Sequence, residues 1–230
     1  MACAGTLATL AVLTLASAEP VVIGTEAPFP NYTLLDASGQ ITGIDRDIGD
    51  ALCDRLEWRC TWVNTRFDHL IPGVMTGQFD LIIGGIAVTP ERQQLVSFTL
   101  PYDHSDHEVS FLGRADAPPP ETARIGVQSG TIHESHLRNS GRPPVAFGTV
   151  DETIDALIAG QIDLAFVPFQ FDDPRVQAAG LSAVYAEPVP DLGTAIAVCK
   201  GNAALLDPLD AALTILIADG TIDTILARWN

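Results

Sequence analysis

The chain has 230 residues, 47% of them hydrophobic, enough apolar surface for one large core or two small ones and too much for a disordered polymer. Twelve Lys and Arg stand against 29 Asp and Glu, a net charge of −17, which repels nucleic acid and anionic headgroups and excludes both as partners. A charge of this size keeps a protein soluble and names no ligand.

Residues 1–18 hold no charge, run apolar from 7 to 15 and end in Ala16-Ser17-Ala18. They read as a cleaved export signal that lacks the usual positive n-region, with a short buried helix as the other reading. No later stretch approaches the roughly 20 uncharged residues that span a bilayer, so the chain from about Glu19 is expected to be soluble. Cys3 leaves with the signal. Cys53 and Cys60 lie seven apart, a spacing that an oxidising compartment can join, and no CxxC or HxxxH pair accompanies them to suggest zinc. Cys199, inside the apolar run TAIAVC, reads as a buried strand residue.

The mature chain opens with a strand at 21–24, followed by a Pro-rich loop and a hairpin-like turn at Asp36-Ala37-Ser38-Gly39. An amphipathic helix over 45–56 places Ile44, Ile48, Leu52 and Leu56 on one stripe and gives way to the strand CTWVNT. A helix over 67–76 is closed by Gly77, and the apolar run 81–83 reads as a buried parallel strand ending in the turn Gly84-Gly85. After the low-complexity stretch ADAPPPET the same grammar restarts: a strand over 124–128, a helix from Ile132, a helix over 152–159 and a strand over 163–167. Two terminal helices, Ala203–Ala218 and Thr221–Trp229, pack on either unit. Alternating strands and helices predict two doubly wound α/β units facing one another across a cleft, where a ligand belongs.

Two helix starts carry chemistry. In Thr89-Pro90-Glu91-Arg92, threonine caps, proline takes the first helical position and Arg92 falls in the first turn. A guanidinium fork beside unpaired helix-start amides receives a carboxylate, although an arginine there is more often a solvated surface residue. In Ser129-Gly130-Thr131-Ile132-His133-Glu134, Thr131 and Glu134 form a capping box, and Gly130 admits close backbone approach. His133 is placed to bond an anion or to face solvent. His69, His104 and His107, beside Asp68, Asp103 and Asp106, read as polar surface loops rather than a metal site.

Over nearly all of its mature length the chain resembles the periplasmic amino-acid-binding proteins that serve ABC transporters, particularly the lysine/arginine/ornithine and histidine binders. The likeness rests on GTEAPFPNY, GIDRDIGDALCDRL, CTWVNTRFDHLIP, GQFDLIIGGIAVTPERQQLVSF with the following PY, then IGVQSGT, ALIAGQIDLAFV and ADGTIDTILARW. It implies a type II periplasmic-binding-protein fold: a discontinuous first lobe over 19–108 plus 194–230, a second over 109–193, and crossings near 106–110 and 190–193, opening like a hinge. It implies that the aromatic at Phe29 or Tyr32 packs on the ligand side chain, that Arg92 holds the α-carboxylate with help from Thr131, and that Glu26 meets a cationic side chain. Gln128, Ile132 and His133 complete the expected lining. Cys53 and Cys60 look like the disulfide of the basic-amino-acid branch. A periplasmic monomer, an ABC permease as partner and no cofactor follow.

Three positions depart from that pattern. Gly85 and Ala87 stand where the family commonly has Ser or Thr, and Pro168 where it places the acid that pairs with the ligand's ammonium. Burying an unpaired ammonium costs several kcal/mol. Three readings stay open: another acid such as Glu26, Asp68 or Asp172 replaces the missing one; the ligand lacks a primary α-amine, the reading preferred here; or the site is degenerate. Gly85 and Ala87 are expected to widen the site, and at most one of Phe166, Phe169 and Phe171 to line it. The fold also resembles that of cyclohexadienyl dehydratases, for which Glu26 or His133 would be the proton donor. No nucleophile elbow, HExxH, P-loop or dinucleotide fingerprint is present, and binding is preferred over catalysis.

Overall fold

Residues 19–104, 108–167 and 174–229 are described by the computed structural model. The expected signal over 1–18 lies outside them, as do Asp106, His107, Pro168, Phe169, Phe171 and Asp172.

The chain begins with β1 (Val21–Thr25), the hairpin β2 (Leu34–Leu35) and β3 (Ile41–Thr42), then α1 (Ile44–Arg55), β4 (Cys60–Asn64), α2 (Phe67–Met75), β5 (Leu81–Ile82), α3 (Pro90–Leu95) and β6 (Val96–Phe98). It continues through β7 (Glu108–Gly113), β8 (Ile125–Gln128), α4 (Ile132–Asn139), β9 (Val145–Phe147), α5 (Val150–Ile158), β10 (Leu164–Val167), α6 (Pro174–Ala178) and β11 (Ser182–Pro188). It closes with β12 (Ala197–Cys199), α7 (Ala203–Ala218) and α8 (Thr221–Trp229).

Two five-stranded sheets result, ordered β4-β1-β5-β12-β6 and β11-β7-β10-β8-β9. In each, three strands run parallel and the rest join antiparallel: β12 pairs with β5 and β6 in the first, β7 with β10 and β11 in the second. The antiparallel strands have a topological cause. β7 enters the second sheet directly from β6 of the first, and β12 enters the first directly from β11 of the second. The chain therefore crosses between sheets twice. Residues 108–110, at the expected first crossing, are paired in β7.

Both faces of each sheet are covered, as a doubly wound arrangement requires. Ile44, Ile48 and Leu52 on α1 are at most 2% exposed and pack with Ile23, Ile83, Leu213 and Ile222. Full burial of such a side chain contributes roughly 1.5–3 kcal/mol. Both terminal helices therefore belong to the first sheet, against α1. Asp47 reinforces this by accepting hydrogen bonds from Trp229 Nε1 and Arg228 Nη1, each at 2.9 Å. The other face of the same sheet is closed by Leu70 and Val74 of α2 on Ile82 and Ala197. In the second sheet, Ile154 and Leu157 of α5 cover one face and Leu137 of α4 the other. A disulfide joins Cys53 in α1 to Cys60 in β4. Cys199 is free and half-buried rather than buried, because β12 ends there.

Candidate functional site

Both sequence-predicted helix starts form, and they face each other. Thr89 Oγ1 accepts from Arg92 N at 3.2 Å with Pro90 at the first helical position, and Thr131 Oγ1 accepts from Glu134 N at 3.2 Å. The reciprocal arm of the second cap is shifted by one residue: Glu134 accepts from Gly130 N at 2.8 Å rather than from Thr131 N. That ties down the tight turn in which Gly130, at φ +76°, passes Asp68 so closely that a Cβ would sit 3.2 Å from that residue's.

Arg92 spans the gap. Nη1 donates to Ala87 O at 2.8 Å and Nη2 donates to Gly130 O at 3.0 Å, and the guanidinium lies 5.3 Å from the centre of the Phe67 ring. The residue is 8% exposed, so it is not the solvated surface arginine that such a position often holds. Burial pushes its pKa down to about 10, against the charges of Asp191 and Glu91. The guanidinium therefore stays charged at neutral pH. A second contact also crosses between the sheets: Gln128 Nε2 donates to Glu26 at 2.7 and 2.9 Å, and Glu26 accepts from Phe67 N at 3.2 Å. Burial lifts the Glu26 carboxyl to about 7, the hydrogen bonds from Gln128 and Phe67 opposing it.

Between these contacts lies a cavity of about 120 Å³, of the order of the ~150 Å³ cavity that admits a benzene. Of the residues singled out from the sequence, Phe29, Tyr32, Gly85, Ala87, Arg92, Gln128, Thr131, Ile132 and His133 line it. Glu26 does not; its carboxylate is turned to Gln128, which does. Phe29 and Tyr32 stack at 5.5 Å. Phe166 lines the cavity, stacks on Phe111 at 4.3 Å and carries His133 edge-on at 5.8 Å.

Three expectations fail. Gly85 does not widen the site: a Cβ on it would fall 2.6 Å from the Phe29 ring, so the aromatic already fills the space that the missing side chain leaves. Gly85 is also held at φ +57°, and its N donates to Asp45 at 2.6 Å. Asp68 is not spare, being paired with Arg66 through bonds of 3.1 and 3.0 Å. Asp103, read as part of a polar surface loop, is 7% exposed and lines the cavity, because its backbone is bridged to Thr194. His69 and His104, by contrast, are exposed. No cluster of three metal-ligating side chains occurs among the described residues.

The sequence reading also missed Phe67, Asp191 and Thr194, all on the cavity wall. Thr194 bridges both Ala87 and Asp103, and Asp191, at the expected second crossing, lies on the cavity wall. Only Phe67 left a signal, as an aromatic at the start of the helix after CTWVNT.

Two doubly wound units joined by two crossings, with a cavity walled by both and an arginine bonded across them, define a two-lobed ligand-capture protein. Residues 21–230 match the family described as bacterial extracellular solute-binding proteins, family 3, and the chain belongs to that family. It is 32% identical to ABC transporter arginine-binding protein 1 of Escherichia coli K12, over 93% of this chain and 91% of that protein. It is 30% identical to the L-arginine-binding protein of Pseudomonas aeruginosa PAO1, over 97% and 92%. Among solved structures, a periplasmic His/Glu/Gln/Arg/opine family-binding protein from Silicibacter pomeroyi in complex with lysine superposes with a TM-score of 0.81 at 30% identity, covering 91% of this chain and 96% of that one. The fold is that of the type II periplasmic binding proteins. The protein is a periplasmic binding protein of the amino-acid ABC-transporter class.

Proposed function

We propose that the protein captures a basic amino acid in this cavity and hands it to an ABC permease, with lobes of 19–108 plus 194–230 and 109–193 closing about the two crossings. The observation that carries this reading is Arg92: a buried, charged guanidinium on the cavity wall that already bonds a carbonyl of each half. Two of its five N–H groups are used in those bonds, and the remainder of the fork, with the α4 start at Thr131, is suited to a carboxylate. Phe29, Tyr32, Phe67 and Phe166 supply apolar walls for a side chain. The names of the relatives point the same way, since two are arginine binders and the solved neighbour holds lysine.

A monomer suffices for this action. Closure changes the outer faces of both lobes together, so a permease distinguishes loaded from empty protein by differential affinity. Glu26, one of the two proton donors considered for an elimination, is turned to Gln128 rather than lining the cavity.

The test is a thermal-shift and calorimetric screen of the chain from Glu19 against the L-amino acids and their deaminated analogues, with the incubated ligand recovered and analysed. Arginine, lysine or ornithine should raise the melting midpoint by mass action and be recovered unchanged. No shift with any amino acid, or recovery of a product, contradicts the proposal.

A further inference from the structure

The segment Arg66-Phe67-Asp68, at the start of α2, meets the half of the molecule built on the second sheet at two glycines. A Cβ on Gly148 would land on the Arg66 guanidinium, and a Cβ on Gly130 would lie 3.2 Å from both Cα and Cβ of Asp68. Gly148 is buried while the Arg66 side chain is 46% exposed, so the guanidinium covers the glycine from the solvent side. The two glycines occupy equivalent places, opening the matching runs Gly-Thr-Ile-His-Glu at 130–134 and Gly-Thr-Val-Asp-Glu at 148–152. In each run the threonine hydroxyl accepts from the glutamate N, at 3.2 and 3.1 Å, and the glutamate Oε2 accepts from the glycine N at 2.8 Å. The runs follow β8 and β9, neighbouring parallel strands linked at their ends by Ser129 N donating to Phe147 O at 2.8 Å. The two helix starts therefore stand side by side, each with a glycine against the same strip of the first half.

The strip is tied to itself by the fork that Arg66 Nε and Nη2 make with the Asp68 carboxylate, at 3.1 and 3.0 Å, so its two contacts move together. Its charges suit the seats. Asp68 lies at the start of α4, where the helix dipole favours a negative charge. The Asp68 carboxylate and then the charge of Glu152, in the first turn of α5, favour the charged form of Arg66. Immediately inside these contacts the cavity begins, lined by Phe67 from the strip and by Thr131, Ile132 and Val150 from the two helix starts. Drawing the halves apart at this edge must lift the strip off both glycines.

We propose that Arg66-Phe67-Asp68 is a clasp, seated on Gly130 and Gly148, that holds the two halves together over a captured ligand and sets how fast the ligand leaves. This rests on the capture function proposed above. The glycines are the complementary part of the device: a side chain at 148 would evict the guanidinium, and one at 130 would crowd the Asp68 backbone. Because Arg66 is half-exposed, the charge attraction across this edge is screened by salt, so release should quicken as ionic strength rises.

The experiment loads the chain from Glu19 with radiolabelled L-arginine and follows its release into an excess of unlabelled L-arginine, at low and high sodium chloride. Gly148→Ala displaces the guanidinium while every charge is kept, and Arg66→Ala removes it from the other side. Each should quicken release by about two- to fivefold and leave the association rate within about twofold of the wild type. Because both variants break one contact, the double variant should release no more than about twofold faster than the faster single one. Salt should quicken release from the wild type and have little effect on Arg66→Ala. Release that stays at the wild-type rate in either single variant, or a double variant in which the two effects multiply, overturns the clasp and leaves the capture function standing. Wild-type protein that takes up no L-arginine contradicts the capture function and overturns both. Should Gly148→Ala fail to fold, Arg66→Ala and its salt dependence decide: faster release that no longer responds to salt supports the clasp, and an unchanged rate removes it.

Discussion

Truncating Arg92 to alanine separates its two roles. The fork bonds Ala87 O at 2.8 Å and Gly130 O at 3.0 Å, and it is the cavity's only arginine among the described residues. A hydrogen bond to a charged group contributes about 1.5–3 kcal/mol, so losing the carboxylate receptor should weaken ligand binding about ten- to a hundredfold. Arg92→Lys keeps the charge and loses the planar fork; it should bind better than the alanine variant and worse than the wild type. Two carbonyls are left without a donor in Arg92→Ala, at a cost near 1–3 kcal/mol each where water does not reach them. The melting midpoint of the ligand-free protein should therefore fall by several degrees as well. Calorimetry with L-arginine on both variants, with melting followed by circular dichroism, distinguishes lost binding from lost folding. A folded Arg92→Ala protein whose affinity stays within about twofold of the wild type would refute the reasoning.

Gly85→Ser adds a side chain at φ +57° in space held by the Phe29 ring, so strain of about 1–2 kcal/mol and overpacking of 1–3 kcal/mol should lower the melting midpoint and weaken ligand binding; a neutral result would show that Phe29 moves aside without cost. Replacing Cys53 and Cys60 together by serine opens a loop of eight residues, and the chain-entropy model gives a loss of about 2.5 kcal/mol, or roughly 5–10 °C in a scanning-calorimetry melt. Burial lifts Glu26 to about 7 from 4.5, so the native state keeps a proton that the unfolded chain has released. Its contribution is fully present below about pH 4.5 and is lost, by about 3 kcal/mol, as pH rises through about 7. Glu26→Gln should therefore shrink the drop in melting midpoint between about pH 5 and pH 8, with the similarly raised Asp45 supplying what remains.

Much of the fold could be read from the sequence where a segment's own chemistry sets its structure. The helix caps at Thr89 and Thr131 and both terminal helices form where they were expected, because capping geometry and 3.6-residue periodicity are local. Of the strands that escaped notice, β7 is long and buried, whereas β6, β9 and β11 are short or exposed. β6 follows α3 with no intervening turn residue, β9 has three residues with little burial, and β11 is an edge strand. Their pairing is fixed by partners far along the chain, not by their own pattern.

The site divides in the same way. Arg92 and Thr131 were found because a helix start is a local signal with a chemical meaning. Asp103 was misread because nothing in YDHSDH shows that the bridge to Thr194 turns it inward. Gly85 was misread for the same reason, since the ring that fills its vacant space comes from a distant loop.

The most direct test of the account is a crystal structure of the protein bound to L-arginine. The account predicts the ligand in the cavity between the two sheets, its carboxylate bonded to the Arg92 guanidinium near the α4 start at Thr131, with Phe29 or Phe67 against its side chain. A ligand that lies in this cavity with its carboxylate away from Arg92, or that binds outside the cavity altogether, would contradict it.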